Sequence, residues 1–186
     1  MFHKKKGLGM EHNELDEKKQ RILQKLSRLP RYMLQLHGRE NIAEFILHEL
    51  GKQECFNLNR AAYVVDNPDF DCLQGIAGYA RDEEYGIIDK DIWDDPDSFS
   101  THMKSCSYNG KVREFKKGSH IKQGLSEKEI VDQVAKDLGF DNPSYYSWPV
   151  KNDNHGILLY QKHDLDACDC DYLLDGLCLM GFCPIY

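Results

Sequence analysis

The chain has 186 residues, 24 Lys and Arg against 31 Asp and Glu, and seven cysteines. That length suits one domain with or without an arm, and 41% hydrophobic with 11% aromatic residues excludes wholesale disorder. No apolar run reaches the roughly 20 residues of a membrane span.

The opening MFHKKKGLGMEHNELDEKK has no apolar stretch behind its basic start, so it is not read as a secretory signal. An odd number of cysteines precludes complete internal pairing, as free thiols in a reducing compartment would allow. Both features place the protein in the cytoplasm. The whole chain carries −7, and residues 1–30, with eight Lys/Arg and four Asp/Glu, carry +4, leaving −11 on the rest. The expected organisation is a basic N-terminal arm and helix over 1–30, then one globular domain over 31–186. An acidic body disfavours nucleic acid as the partner.

Asn13 can cap a first helix over 13–29, whose Leu15, Ile22, Leu26 and Leu29 make a narrow apolar stripe on a charged surface. Pro30 is expected to end it. The stripe could dock on the body or meet a protein partner. NIAEFILHELG predicts a core helix with Ile42, Ala43, Ile46, Leu47 and Leu50 on its apolar face and Glu44 and His48 on a polar edge. CFNLNRAAYVVDN predicts a strand over roughly 55–65, in which Ala61, Ala62, Tyr63, Val64 and Val65 form a near-continuous apolar run, as a strand covered on both faces would. CLQGIAGYA is ambiguous between helix and strand, because Gly75 and Gly78 weaken a helix.

Asp95 and Pro96 predict a helix start, with Asn109-Gly110 closing that helix and Phe99, Met103 and Cys106 on one face. Ser126 and Glu129 make a capping box for a helix ending at Gly139. SYYSWPV and GILLYQK flank KNDNH as a β-hairpin with a longer loop. GLCLMGFCPIY predicts a buried strand. Helices and short strands without regular alternation imply an α+β fold, one mostly antiparallel sheet with helices packed on it and a charged amphipathic helix at the N-terminus.

Chemistry-bearing residues are sparse. There is no G-x-S-x-G, P-loop or H-E-x-x-H pattern. Asp66, Asp69 and Asp71 lie just after the apolar strand, where carboxylates can hold Mg²⁺ or act as acid and base, or simply make a turn. His48 could join them as a ligand, giving a metal-dependent hydrolase. Cys168 and Cys170 could chelate Zn²⁺, although C-x-C lacks a second matching knuckle. Cys178 and Cys183 sit in an apolar run, where cysteine behaves as a small hydrophobe. His102 and Cys106, one helical turn apart, could form a reactive pair.

VAKDLGFDNPSYYSW resembles the second helix-turn-helix of arabinose-regulator-type transcription factors. Gly139, Phe140, Pro143, Ser144, Tyr145, Tyr146 and Ser147 carry the likeness, which spans about 15 residues. It implies a recognition helix starting near Pro143 and DNA binding through 126–148.

The residues as a whole favour a non-catalytic protein- or ligand-binding, regulatory module. Its partner would meet the N-terminal helix or the aromatic stretch Tyr145, Tyr146 and Trp148, since Tyr and Trp favour interfaces.

Overall fold

The structure, a computed structural model, describes residues 7–86, 91–163, 176 and 179–182, without the side chains of 7–16 and 182. Its elements are α1 (Gly7–Gln35), α2 (Ile42–Gly51), β1 (Leu58–Asn67), β2 (Cys72–Ala80), α3 (Pro96–Ser105), α4 (Ser107–Glu114), β3 (Lys116–Lys117), α5 (His120–Gln123), α6 (Glu127–Leu138), β4 (Ser144–Pro149) and β5 (His155–Lys162). The strands form one antiparallel sheet in the order β3-β2-β1-β5-β4. The fold is α+β, as the sequence implied.

Both faces of the sheet are covered. Ala61, Tyr63, Val65, Leu158 and Tyr160 pack with α1, α2 and α3. Ala62, Val64, Ile157 and Leu159 pack with α4 and α6. Because side chains alternate across a strand, burial on two faces requires consecutive apolar residues, which explains the run in β1.

α1 runs through Pro30 to Gln35 rather than ending there. An interior proline removes a hydrogen bond and costs ~3 kcal/mol. Ile22 and Leu29 are fully buried in the core, and Tyr32 and Met33, beyond the proline, pack against it. Burying such side chains contributes about 1.5–3 kcal/mol each when complete, which offsets the proline. The stripe therefore docks on the body. Leu15, predicted at its start, has a side chain outside the described residues.

α2 has no polar edge in solvent, because all ten of its residues are buried. The sheet lies under it and α1 lies over it, with Lys25 Nζ donating to Glu49 Oε1 at 2.9 Å. His48 and Glu44 thus face the interior.

The ambiguous segment is strand β2. Its register against β1 shifts between Tyr63 and Val64, which pair with Ala77 and Gly75 and leave Ile76 as the extra residue of a bulge. The bulge resets the alternation, so Gly75 and Gly78 both face α4. A Cβ on Gly75 would lie 1.8 Å from the Val112 carbonyl oxygen, and one on Gly78 would lie 3.1 Å from Asn109 Cα.

The helix beginning at Asp95-Pro96 stops at Ser105, not at Asn109-Gly110. Asp95 caps it through Ser98 N, as expected. Cys106 is extended (φ −70, ψ 121) and a second helix starts at Ser107. The distant Glu83 carboxylate accepts from the N–H groups of Ser107 (3.0 Å) and Tyr108 (3.0 Å), satisfying donors that a new helix start leaves unpaired. No local pattern could reveal that break. Downstream, the Ser126–Glu129 capping box and left-handed Gly139 (φ 78) bound α6 as predicted, and β4 and β5 form the predicted hairpin. In the tail, Leu179–Phe182 is a 3-10 helix rather than a strand, although Met180 is buried as a core residue.

Candidate functional site

His48 is 1% exposed. Its Nε2 accepts from Tyr85 N at 2.9 Å, and its ring lies edge-on to Phe99 and Tyr79, at 5.0 and 5.7 Å between centroids. Burial, helped by the nearby Lys52 and His102 charges, lowers its pKa to about 3, so the imidazole stays neutral. It pins the segment that follows β2. Its Nδ1 has no partner among the described residues.

Asp66 is fully buried at the far end of β1. Its Oδ2 accepts from His120 N (3.0 Å) and Ile121 N (3.2 Å), and Asp71 Oδ1 accepts from Ser119 N at 3.0 Å. Both carboxylates therefore hold the segment after β3, while Asp69 is exposed in the turn. Tyr79, beside His48, pairs with Ala61. Five residues of strand, about 17 Å, separate Ala61 from Asp66, so His48 and the Asp66–Asp71 turn occupy opposite ends of the β1–β2 hairpin. His120, which the sequence did not single out, is 2% exposed beside Asp66. Burial lowers its pKa against the opposing pull of Asp66. No group of three or more His, Cys, Asp and Glu able to hold a metal ion occurs among the described residues. Cys168 and Cys170, with the Zn²⁺ site suggested for them, lie outside those residues.

His102 and Cys106 do meet, with Sγ 3.3 Å from Nε2. The same Nε2 lies 2.8 Å from the Glu83 carbonyl oxygen. Burial, reinforced by the Glu83 and Glu44 charges, pushes the thiol up to about 11. A thiol that stays protonated is a poor nucleophile, and the pair serves to anchor the Glu83 segment.

The remaining candidates converge on strand β4. It ends the sheet, and no sixth strand follows it among the described residues. Its residues SYYSWP carry no charge. On one face, Tyr146 stacks on Tyr160 (5.8 Å) and Trp148 on Tyr63 (5.5 Å), so these two rings belong partly to the core. Tyr145, 38% exposed, points to the other face. There it joins Val131, Ala135 and Phe140 in lining a groove of about 520 Å³ between β4 and α6. Lys128, Asp132 and Lys136 follow each other at four-residue intervals along α6 at this groove, on one helical stripe. Residues 144–149, where the helix-turn-helix likeness would begin a recognition helix, are this strand.

The opposite edge is closed. β3 has only two residues, both lysine, and pairs with Leu73 and Gln74. Beyond it α4 takes over, with Phe115 O accepting from Gly75 N at 2.9 Å and Asn109 Oδ1 accepting from Gly78 N at 2.9 Å. Asn109 Nδ2 in turn donates to Glu44 Oε1 (2.9 Å) and Met103 O (3.0 Å). Glu44, 2% exposed, also receives Arg113 at 2.8 Å and Asn41 at 3.0 Å. Every partner in this set is matched donor to acceptor, as a buried carboxylate requires.

Among the described residues no helix is long and apolar enough to cross a membrane. No protein-family model matches the chain, and neither the curated proteins nor the solved structures contain a match to it.

Proposed function

We propose that this protein is a non-catalytic binding module that receives an extended polypeptide strand from a partner along the outer edge of β4. The observation that carries this reading is the contrast between the two sheet edges. Natural sheets blunt exposed edges with lysines, short strands or a covering helix, and the β3 side uses all three. The β4 side has six uncharged residues, three of them aromatic, beside a groove. Strand addition takes its affinity from main-chain hydrogen bonds and its specificity from pockets for alternate side chains. Free thiols at Cys72 and Cys106 suit a cytoplasmic setting for such a module.

A photo-crosslinking amino acid placed at Ser147, and separately at Lys117, tests the reading in cells expressing the protein. Adducts are expected from Ser147 and not from Lys117. Equal yields at the two edges, or none at Ser147, would remove it.

A further inference from the structure

We infer that the strand received by β4 is an acidic, extended segment of a partner protein, with carboxylates directed to Lys128 and Lys136 at the groove. This inference rests on the edge reading above and adds the chemistry of the occupant. An added strand continues the pleat of β4, so every second side chain projects to the α6 side. On that side the floor is apolar, from Val131, Ala135, Phe140 and Tyr145. The charged groups along it are Lys128, Asp132 and Lys136.

Neither lysine is in an ion pair among the described residues, whereas Lys117 on the closed side is paired with Asp137. Two unpaired ammonium groups over an apolar floor suit a glutamate, whose methylenes can lie on the floor while its carboxylate reaches the rim. Among the described residues that line the groove, Asp132 opposes Lys128 and Lys136, which leaves the lining one net positive charge on a body, residues 31–186, that carries −11. An acidic segment is thus attracted at this groove and repelled by the acidic remainder of residues 31–186, which gives specificity. A second copy of the chain would bring another net −7 to the contact, so like-charge repulsion weighs against that occupant.

Three nine-residue peptides, alternating valine with glutamate, lysine or serine, test the inference by titration against the full chain. Two further glutamate peptides carry N-methyl groups on alternate amides, one in each frame. The glutamate peptide is expected to bind about tenfold more tightly than the lysine one, by a margin that shrinks as salt rises. The double variant Lys128→Glu, Lys136→Glu should reverse the order. At least one N-methyl frame should lose binding, because methylation removes the donors that pair with the edge. Peptides that bind alike whatever their charge, with an N-methyl frame still inactive, overturn the acidic occupant and leave the edge reading standing. Binding unaffected by either N-methyl frame, or no binding by any peptide, overturns both. A dimer in sedimentation that excludes the peptides would assign the edge to a second copy and overturn the acidic partner.

Discussion

The two edges of the sheet are built on opposite plans. On the β3 side, Gly75 and Gly78 let α4 lie against β2, and Asn109 and the Phe115 carbonyl accept the strand N–H groups that a third strand would otherwise take. On the β4 side, an uncharged aromatic strand ends the sheet next to a groove. The same covalent backbone needs satisfying at both edges. At one edge residues of α4 and its C-terminus supply the acceptors, Asn109 Oδ1 and the Phe115 carbonyl, and at the other no further strand is paired among the described residues. On the reading proposed above, the closed edge should matter for stability and the open edge for recognition.

The largest expected effect comes from reopening the closed edge. Gly75→Ala places a methyl group against the Val112 carbonyl, 1.8 Å away without relaxation, and should destabilise by at least about 3 kcal/mol through forced separation of α4 from β2. Urea unfolding measures this, and a loss under 1 kcal/mol would show that α4 does not seal the edge. Asn109→Leu removes three buried hydrogen bonds, to Gly78, Glu44 and Met103. Leaving the Gly78 N–H orphaned should cost about 3 kcal/mol in the same experiment.

Acid should weaken the closed side next. The His48 pKa falls from 6.5 to about 3 on folding, so between those values the unfolded chain binds the extra proton. Stability from this group is complete above about pH 6.5 and declines as pH falls toward 3, by up to about 1.4 kcal/mol per unit. At pH 5 the loss is about 2 kcal/mol. His48→Gln, which keeps an acceptor for Tyr85 N, should show a correspondingly flatter profile over pH 5–7, and an identical profile would refute the assignment. His120 acts in the same direction, so the difference between the two proteins is the quantity to read.

The smallest effect on stability is expected at the open edge. Tyr145→Ser should change unfolding free energy by no more than about 0.5 kcal/mol, as surface substitutions usually do, while it weakens binding of the glutamate peptide. Equal damage to stability and binding would erase the contrast between the edges.

The sequence made the elements legible where the signal was local. The Ser126–Glu129 box, the Asp95-Pro96 start and the β4–β5 hairpin needed only short-range patterns. It misled where distant groups decide. Pro30 is tolerated because residues on both sides of it are buried. The α3–α4 break depends on Glu83, more than 20 residues upstream. Asn109 looks like a turn residue and is instead a buried connector, because its donors and acceptors lie on β2, α2 and α3. Polarity alone could not show that Glu44 and His48 face inward, since a helix covered on all sides does not reveal in its own sequence what covers it. Tyr145, Tyr146 and Trp148 were visible as an aromatic stretch. Their division between groove and core follows from strand alternation, which a recognition-helix likeness hides.

The order of pairing along the chain bears on how the open edge comes into being. β1 meets β2 across the short turn at Pro68–Asp71, but meets β5 only after α3, α4, α6 and β4 have been made. Local hairpins close quickly, whereas distant strand pairing pays loop-closure entropy before contacts return it. On the proposed reading, the β4 edge takes its place in the sheet only on a chain that has brought its distant halves together. A partner that reads β4 would in effect be counting finished molecules, and an incompletely folded chain would be passed over without any separate checkpoint.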